Sequence, residues 1–417
     1  MRANRFNVRM YAPDPSTLPR WCQDLAQKGG LGWMVPNGVA LKAHGVPSPL
    51  ADFLIERLQK EGGFAEAQPK GEGLEDVSLA GKTLALQALI QALNALDEGA
   101  ARDLAGEIAE ALQARQGPFV PSCRIGGRTF TWGERTYVMG ILNVTPDSFS
   151  GDGLLAGPGD APLLPRVVSK ALQMLAEGAD ILDIGGESTR PGAAPVDAET
   201  EISRIVPAIR AIRAETDAPL SVDTYKASVA RAALDAGADM VNDVWGLRMD
   251  PEMAPLVAER RVPLVIMHNR SKPHNAAQEA RLGGRYIGVH YEDLLADILR
   301  ELRGQITMAL EQGIVPEQIL VDPGIGFGKT VEQNLSLLNH LGEFRVLGYP
   351  LLIGPSRKSF IGYTLNLPPE ERLEGTLAAV VTAALRGTVH IVRVHDVQAT
   401  VRALGMVEAI QKQGTLG

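Results

Sequence analysis

The stretch 138-VMGILNVTPDSFSGDG-153 poses the question of the fold. From Tyr137 to Leu142 it is apolar, a run of the length and composition of a buried strand. It then turns polar at once, through Asn143, Thr145, Pro146, Asp147 and Ser148, with Phe149 among them. A core strand that ends this way carries its chemistry at its C-terminal end.

The same transition recurs along the chain. Apolar runs rich in Val, Ile and Leu occur at 137–145, 179–186, 219–224, 239–244, 263–268, 319–324, 350–356 and 390–396. Amphipathic segments separate them, such as 201–215, 229–237, 291–313 and 374–387. Strands buried on both faces and followed by crossover helices form parallel sheets. Eight such units over about 280 residues predict an α/β fold, a (β/α)8 TIM barrel. Each run also ends in polar groups: Asn143, Asp183 with Glu187, Asp223, Asn242 with Asp243, His268, Asp322, Lys358, and Arg393 with His395. That end of a barrel is the rim where active sites are built. An open doubly wound sheet would carry a GxGxxG turn after its first strand, and none follows Asn143.

The segment before the barrel reads differently. It contains a possible hairpin at 31–43 and two Ala/Leu-rich helices at 82–97 and 99–115, then a Gly/Pro linker at 116–122. These predict a small α+β N-terminal domain over 1–117 and a barrel over 118–417. The sequence 123-CRIGGRTFTWG-133 predicts a two-residue Gly-Gly hairpin capping the bottom of the barrel.

Composition narrows the class. The 417 residues are 45% hydrophobic and 22% charged, ordinary for a globular protein. A net charge of -8 argues against a nucleic-acid surface. The two cysteines, Cys22 and Cys123, form no metal-binding or disulfide pattern. No apolar run approaches the roughly 18 residues of a membrane span, and the start has no signal-peptide core. The expectation is a cytoplasmic protein without membrane or nucleic-acid partners.

The rim residues can then be read chemically. Asn143 offers a carbonyl oxygen to a hard cation such as Mg²⁺, though a lone Asn is ordinarily a loop residue. In 185-GGESTRPGA-193, glycines permit close approach, while Ser188, Thr189 and Arg190 supply donors suited to an anion. Asp223 and Asn242 are expected to face each other across the mouth. With Asp322 and Lys358 they make a donor–acceptor set for a flat, nitrogen-rich heterocycle; a structural Asp322–Lys358 ion pair is the plainer reading. Arg393 and His395, two residues apart, can both donate to an anion. His268 is the more ordinary structural histidine. The motif 322-DPGIGFGK-329 lacks the spacing of a nucleotide phosphate loop.

Taken together, GILNVTPDSFS, ADILDIGGESTRPGA, SVDT, VNDV, DPGIGFGK, SRKSF and RVHDV resemble the motif series of the dihydropteroate synthases, in order, over about residues 122–411. The resemblance implies condensation of 6-hydroxymethyl-7,8-dihydropterin pyrophosphate with p-aminobenzoate, giving 7,8-dihydropteroate and pyrophosphate. It implies that Asp223, Asn242, Asp322 and Lys358 bind the pterin, walled by Met267 and Phe327. Asn143, Arg393 and His395 would hold the pyrophosphate, Asn143 through Mg²⁺. Phe149, Thr189, Arg190, Pro191 and Ser359 would frame the p-aminobenzoate. Asp223, Asp322, Lys358, Arg393 and His395 are the expected catalytic groups. Methyl-tetrahydrofolate-dependent methyltransferases share such a barrel but would not need the NVTPDSF, STRPGA and SRKS segments. A non-catalytic homologue would be expected to lose Asp223, Lys358 or His395. The small, apolar helix EGTLAAVVTAALRG points to a homodimer, and the N-terminal segment to a packing or assembly role.

Overall fold

Residues 38–47 alternate poorly but are apolar on nearly every position, and they become the spine of a sheet. The computed structural model describes residues 6–11, 38–145, 163–188, 195–272, 276–279, 281–287 and 289–413. Strands β1 (Arg9–Tyr11), β2 (Gly38–Pro47), β3 (Phe64–Gly71) and β4 (Leu74–Lys82) form an antiparallel sheet in the order β1-β2-β4-β3. The predicted hairpin at 31–43 is not what its described half forms: β2 is flanked by β1 and β4. Helices α1 (Ser48–Lys60), α2 (Thr83–Asn94) and α3 (Gly99–Ala114) complete the α+β region.

By compactness this first unit comprises Met1–Phe119 together with Leu295–Arg303 and Asn339–Gly348. Its interior holds charges. The Glu107 carboxylate accepts the backbone N–H of Phe6 at 2.8 Å and of Val8 at 3.1 Å. Arg303 donates to the Val8 carbonyl at 2.6 Å and to the Asn7 side chain. Arg9 grips Glu343 through Nε at 3.0 Å and Nη2 at 2.7 Å. Burial pushes the Glu107 carboxyl up and pulls Arg303 down to about 10. Each buried charge is met by hydrogen bonds, the condition under which such burial is tolerated.

The second unit begins with the hairpin β5 (Ser122–Ile125) and β6 (Arg128–Thr131), joined through Gly126 at φ +57°. Eight strands follow as a closed parallel barrel: β7 (Tyr137–Asn143), β8 (Ile181–Gly185), β9 (Leu220–Asp223), β10 (Met240–Asp243), β11 (Leu264–Met267), β14 (Ile319–Asp322), β15 (Leu351–Ile353) and β16 (Val389–Val394). An antiparallel pair, β12 (Ala276–Glu279) and β13 (Gly283–Tyr286), interrupts the connection after β11 and was not foreseen. The helices along this stretch of chain are α4 (Leu163–Ala176), α5 (Ala198–Arg213), α6 (Ala227–Ala236), α7 (Met253–Arg260), α8 (Leu294–Glu311), α9 (Val331–Asn339), α10 (Ser359–Leu365), α11 (Leu373–Leu385) and α12 (Val397–Gln413).

The hairpin closes one end, as its Gly-Gly turn predicts. Cys123, Ile125, Phe130 and Trp132 share one buried cluster with Met139, Ile181, Met240, Val265, Leu320, Leu352 and Ile391, from the N-terminal halves of seven strands. With that end filled by hydrocarbon, the polar chemistry is left to the other. No helix among the described residues is long and apolar enough to cross a membrane.

Candidate active site at the C-terminal rim

Strand register builds the site. Asn143 pairs with Gly185, Gly185 with Asp223, and Asp223 with Asn242, so these four lie side by side around one half of the rim. Asp223 and Asn242 are therefore neighbours, not opposed across the mouth as expected. Consecutive βα units place their strands next to each other, and this fixes the pair. A Cβ at Gly185 would meet both neighbours at ordinary contact distance, 3.5 Å from the Asp223 Cβ and 3.6 Å from the Asn143 Oδ1, so the three positions lie close together.

One layer below Gly185 lies Asp183, which the motif reading left without a role. It is fully buried. The Arg393 guanidinium binds its Oδ2 through Nε at 2.5 Å and reaches Asp223 Oδ2 through Nη2 at 2.6 Å. Asn242 turns its amide to the same Asp183 oxygen at 3.0 Å. Among the described residues, Oδ1 of Asp183 and Oδ1 of Asp223 are buried without a hydrogen-bond partner. Buried acceptors left open in a native fold call for an explanation, and a donor-bearing ligand supplies one.

Asp322 and Lys358 complete the floor without forming the ion pair that the plainer reading required. Asp322 accepts the Gly324 N–H at 2.7 Å. Lys358 donates to the Ile325 carbonyl, and its ammonium lies 4.2 Å from the Phe327 ring centroid. Met267 ends β11 in register with Asp322 and is buried. Burial pushes Asp223 up to about 7, Arg393 opposing and the Asp183 charge adding to the rise. Burial likewise pulls Lys358 down to about 7 against the Asp322 charge. It raises Asp322 too, opposed chiefly by Lys358. For Arg393 burial works downward, yet Asp183 and Asp223 hold it above the ordinary value.

His395 is oriented by a residue the motif reading passed over. Ser356 Oγ accepts the His395 backbone N–H at 3.1 Å and lies 3.0 Å from Nδ1. Arg357 ties the same two loops together through Asp396, at 2.9 and 2.5 Å. Ser359 opens α10 directly beside Lys358. Phe149, Thr189, Arg190 and Pro191 lie outside the described residues. His268 is buried, with its ring bonded to Lys329.

Asn143 is the group the sequence offers to Mg²⁺. It brings an amide oxygen beside Gly185, where the Asp223 carboxylate also lies. Among the described residues no cluster of three His, Cys, Asp or Glu side chains could hold a metal. A single neutral oxygen ligand fits only a hard cation that takes its remaining oxygens from a substrate and water.

Comparison with known proteins identifies the family. The pterin binding enzyme family matches residues 139–395. A dihydropteroate synthase of Clostridium beijerinckii is 46% identical over 290 residues, covering 70% of this chain and 100% of that protein. The dihydropteroate synthase of Clostridium difficile, solved in the presence of pteroic acid, superposes with a TM-score of 0.61 at 45% identity, covering 68% of this chain and 100% of its own. That of Xanthomonas albilineans, solved with 4-aminobenzoic acid, gives 0.61 at 44% identity, covering 70% and 98%. The part left uncovered fits the N-terminal extension. The chain belongs to the dihydropteroate synthases, pterin-binding enzymes built on a (β/α)8 barrel.

Proposed function

We propose that the protein joins 6-hydroxymethyl-7,8-dihydropterin pyrophosphate to p-aminobenzoate, releasing pyrophosphate and forming 7,8-dihydropteroate. The observation that carries this reading is the open Oδ1 of Asp223, buried beside Asn242, Asp322 and Lys358. A pterin's 2-amino and ring N–H edge offers the donors that such acceptors lack, and Lys358 offers a donor to its carbonyl or ring nitrogen. Met267 and Phe327 supply apolar walls. Arg393 and His395 hold the pyrophosphate, with Asn143 contributing through Mg²⁺. Phe149, Thr189, Arg190, Pro191 and Ser359 frame the arylamine.

The reaction follows from these positions. The CH2–O bond breaks with its electron pair leaving on the pyrophosphate oxygen, and the electron-rich dihydropterin spreads the resulting positive charge. Arg393 and His395 stabilise the departing anion, while Asp223 and Asp322 favour the cationic ring. Bound Mg²⁺ supplies further charge neutralisation at the pyrophosphate. The arylamine nitrogen then forms the new C–N bond and loses a proton, a step that needs positioning and no side-chain nucleophile.

The protein works in the cytoplasm on these small molecules, as a homodimer. Support for the dimer comes from α11 and α12, where Leu385, Met406 and Ile410 are half or more exposed. The N-terminal region serves packing or assembly.

Steady-state turnover of Asp223→Ala, Asp322→Ala and Lys358→Ala tests the site. Each should fall at least ~100-fold while circular dichroism shows an intact barrel, because a desolvated partner is left unpaired. Near-native activity in any of the three would contradict the assignment.

A further inference from the structure

The loop 322-DPGIGFGK-329 carries the floor of the site, and its last residue is a lysine with only 2% of its surface exposed. Burying an ammonium is costly, and a Met or Leu would fill the volume without that cost. The partners of Lys329 indicate what it does. Its Nζ donates to the Gly324 carbonyl at 2.9 Å, to the Phe327 carbonyl at 3.0 Å and to His268 Nδ1 at 3.0 Å. An ammonium can only donate, so His268 accepts through Nδ1 and keeps its proton on Nε2.

The loop has particular need of such a clamp. Gly324, Gly326 and Gly328 sit at φ +73°, +81° and +59°, three left-handed residues in alternation. Each allows a contact no side chain would permit. A Cβ at Gly324 would stand 1.8 Å from the His268 carbonyl oxygen, one at Gly326 2.4 Å from Lys358 Cδ, and one at Gly328 2.4 Å from the Ser271 nitrogen. Glycines that buy this geometry leave the unfolded loop with the most conformational freedom to lose. Fixed bonds at both sides offset that freedom. Lys358 takes the Ile325 carbonyl, Lys329 takes those of Gly324 and Phe327, Asn334 accepts the Gly326 N–H at 2.6 Å, and Tyr291 donates to Gly328 O at 2.9 Å.

We propose that Lys329, seated on His268, is a positioning residue for the pterin: it touches no substrate but sets the loop on which Asp322 and Phe327 are presented. His268 is tied to the same place through its own N–H, which donates to the Asp322 carbonyl at 2.9 Å. Lysine suits the position because three acceptors surround one compact ammonium, and a planar guanidinium fork cannot reproduce that arrangement. The inference rests on the pterin-site reading above.

The test is steady-state kinetics of Lys329→Met, Lys329→Arg, His268→Leu and His268→Asn, with Asp322→Asn as control. Losing hydrogen bonds from a charged donor should raise KM for the dihydropterin pyrophosphate ~10- to 100-fold in Lys329→Met and Lys329→Arg. KM for p-aminobenzoate should stay within about twofold, since its frame is not built on this loop. His268→Leu should behave like Lys329→Met, and His268→Asn, which keeps an acceptor near Nδ1, should restore most of the pterin KM. Should the Lys329 variants fail to fold, the His268 pair decides by the same criterion. An equal rise in both KM values, or a native pterin KM in His268→Leu, would overturn the proposal. If Asp322→Asn also binds pterin normally, the site reading itself has failed; if only the Lys329 and His268 variants do, the positioning role alone has.

Discussion

The Arg393 guanidinium lies 2.6 Å from the Asp223 carboxylate, bridging two strands whose residues stand 170 positions apart. The same arginine holds Asp183, so a single cation serves two buried carboxylates. Arg393→Met leaves both without a counter-charge and should cost ~3–5 kcal/mol of stability, the range for breaking a buried pair. Arg393→Lys keeps a charge but not the two-armed reach, so stability should recover more than turnover does. Urea unfolding and initial rates on the same preparations separate the two effects. A methionine variant as stable as the parent would show the network carries no structural weight.

Asp223 also predicts a pH dependence. Its folded pKa is raised by burial from 3.8 to about 7. Between those values the folded chain keeps a proton that the unfolded chain has lost. The stability contributed by the neutral form is thus complete below the lower value and lost as pH rises through the upper one. Asp223→Asn removes this titration, so its melting temperature should gain on the parent's between about pH 4 and pH 7. The opposite trend would mean that the Arg393 pair outweighs burial.

Much of this was legible beforehand, and the exceptions have causes. Barrel strands were visible because burial on both faces demands unbroken apolar runs such as Leu264–Met267. Strand β3 escaped notice because Ala65 is its sole buried residue, while Glu66, Gln68 and Lys70 are exposed. The pairing of β1 with β2 joins Arg9 to Lys42, a contact no local pattern announces. Asn143, Asp223, Asp322 and Arg393 stood out as polar breaks after apolar runs. Asp183 showed the same break, but its work depends on an arginine 210 residues away. Ser356 and Lys329 act through other side chains, and sequence carries little sign of that.

Metal dependence should follow from the single amide at Asn143. EDTA should abolish turnover, and Mg²⁺ or Mn²⁺ should restore it. Asn143→Ala should raise the Mg²⁺ concentration for half-maximal rate on the order of tenfold, the scale on which metal sites respond to altered ligation. An unchanged Mg²⁺ titration in that variant would remove Asn143 from the metal site.

The exposed face of α11 and α12 gives a prediction about assembly. Met406 and Ile410 are 61% and 54% exposed and stand one helical turn apart. Met406→Glu with Ile410→Glu should convert a dimer to monomers in sedimentation velocity while leaving the barrel's circular dichroism unchanged. A sedimentation coefficient that does not move would place the contact elsewhere.

The pairing of Arg9 with Glu343 spans 334 residues, and it bears on how the chain is made. On the ribosome, domains ordinarily fold in order of emergence, the N-terminal one first. Here Asn7, Val8 and Arg9 leave the exit tunnel before Arg303 and Glu343, the residues that bond them, have been made. Arg303 arrives after five barrel strands, and Glu343 after six. Until then the nascent segment must carry its charges in water. A segment made early is among the last to be finished.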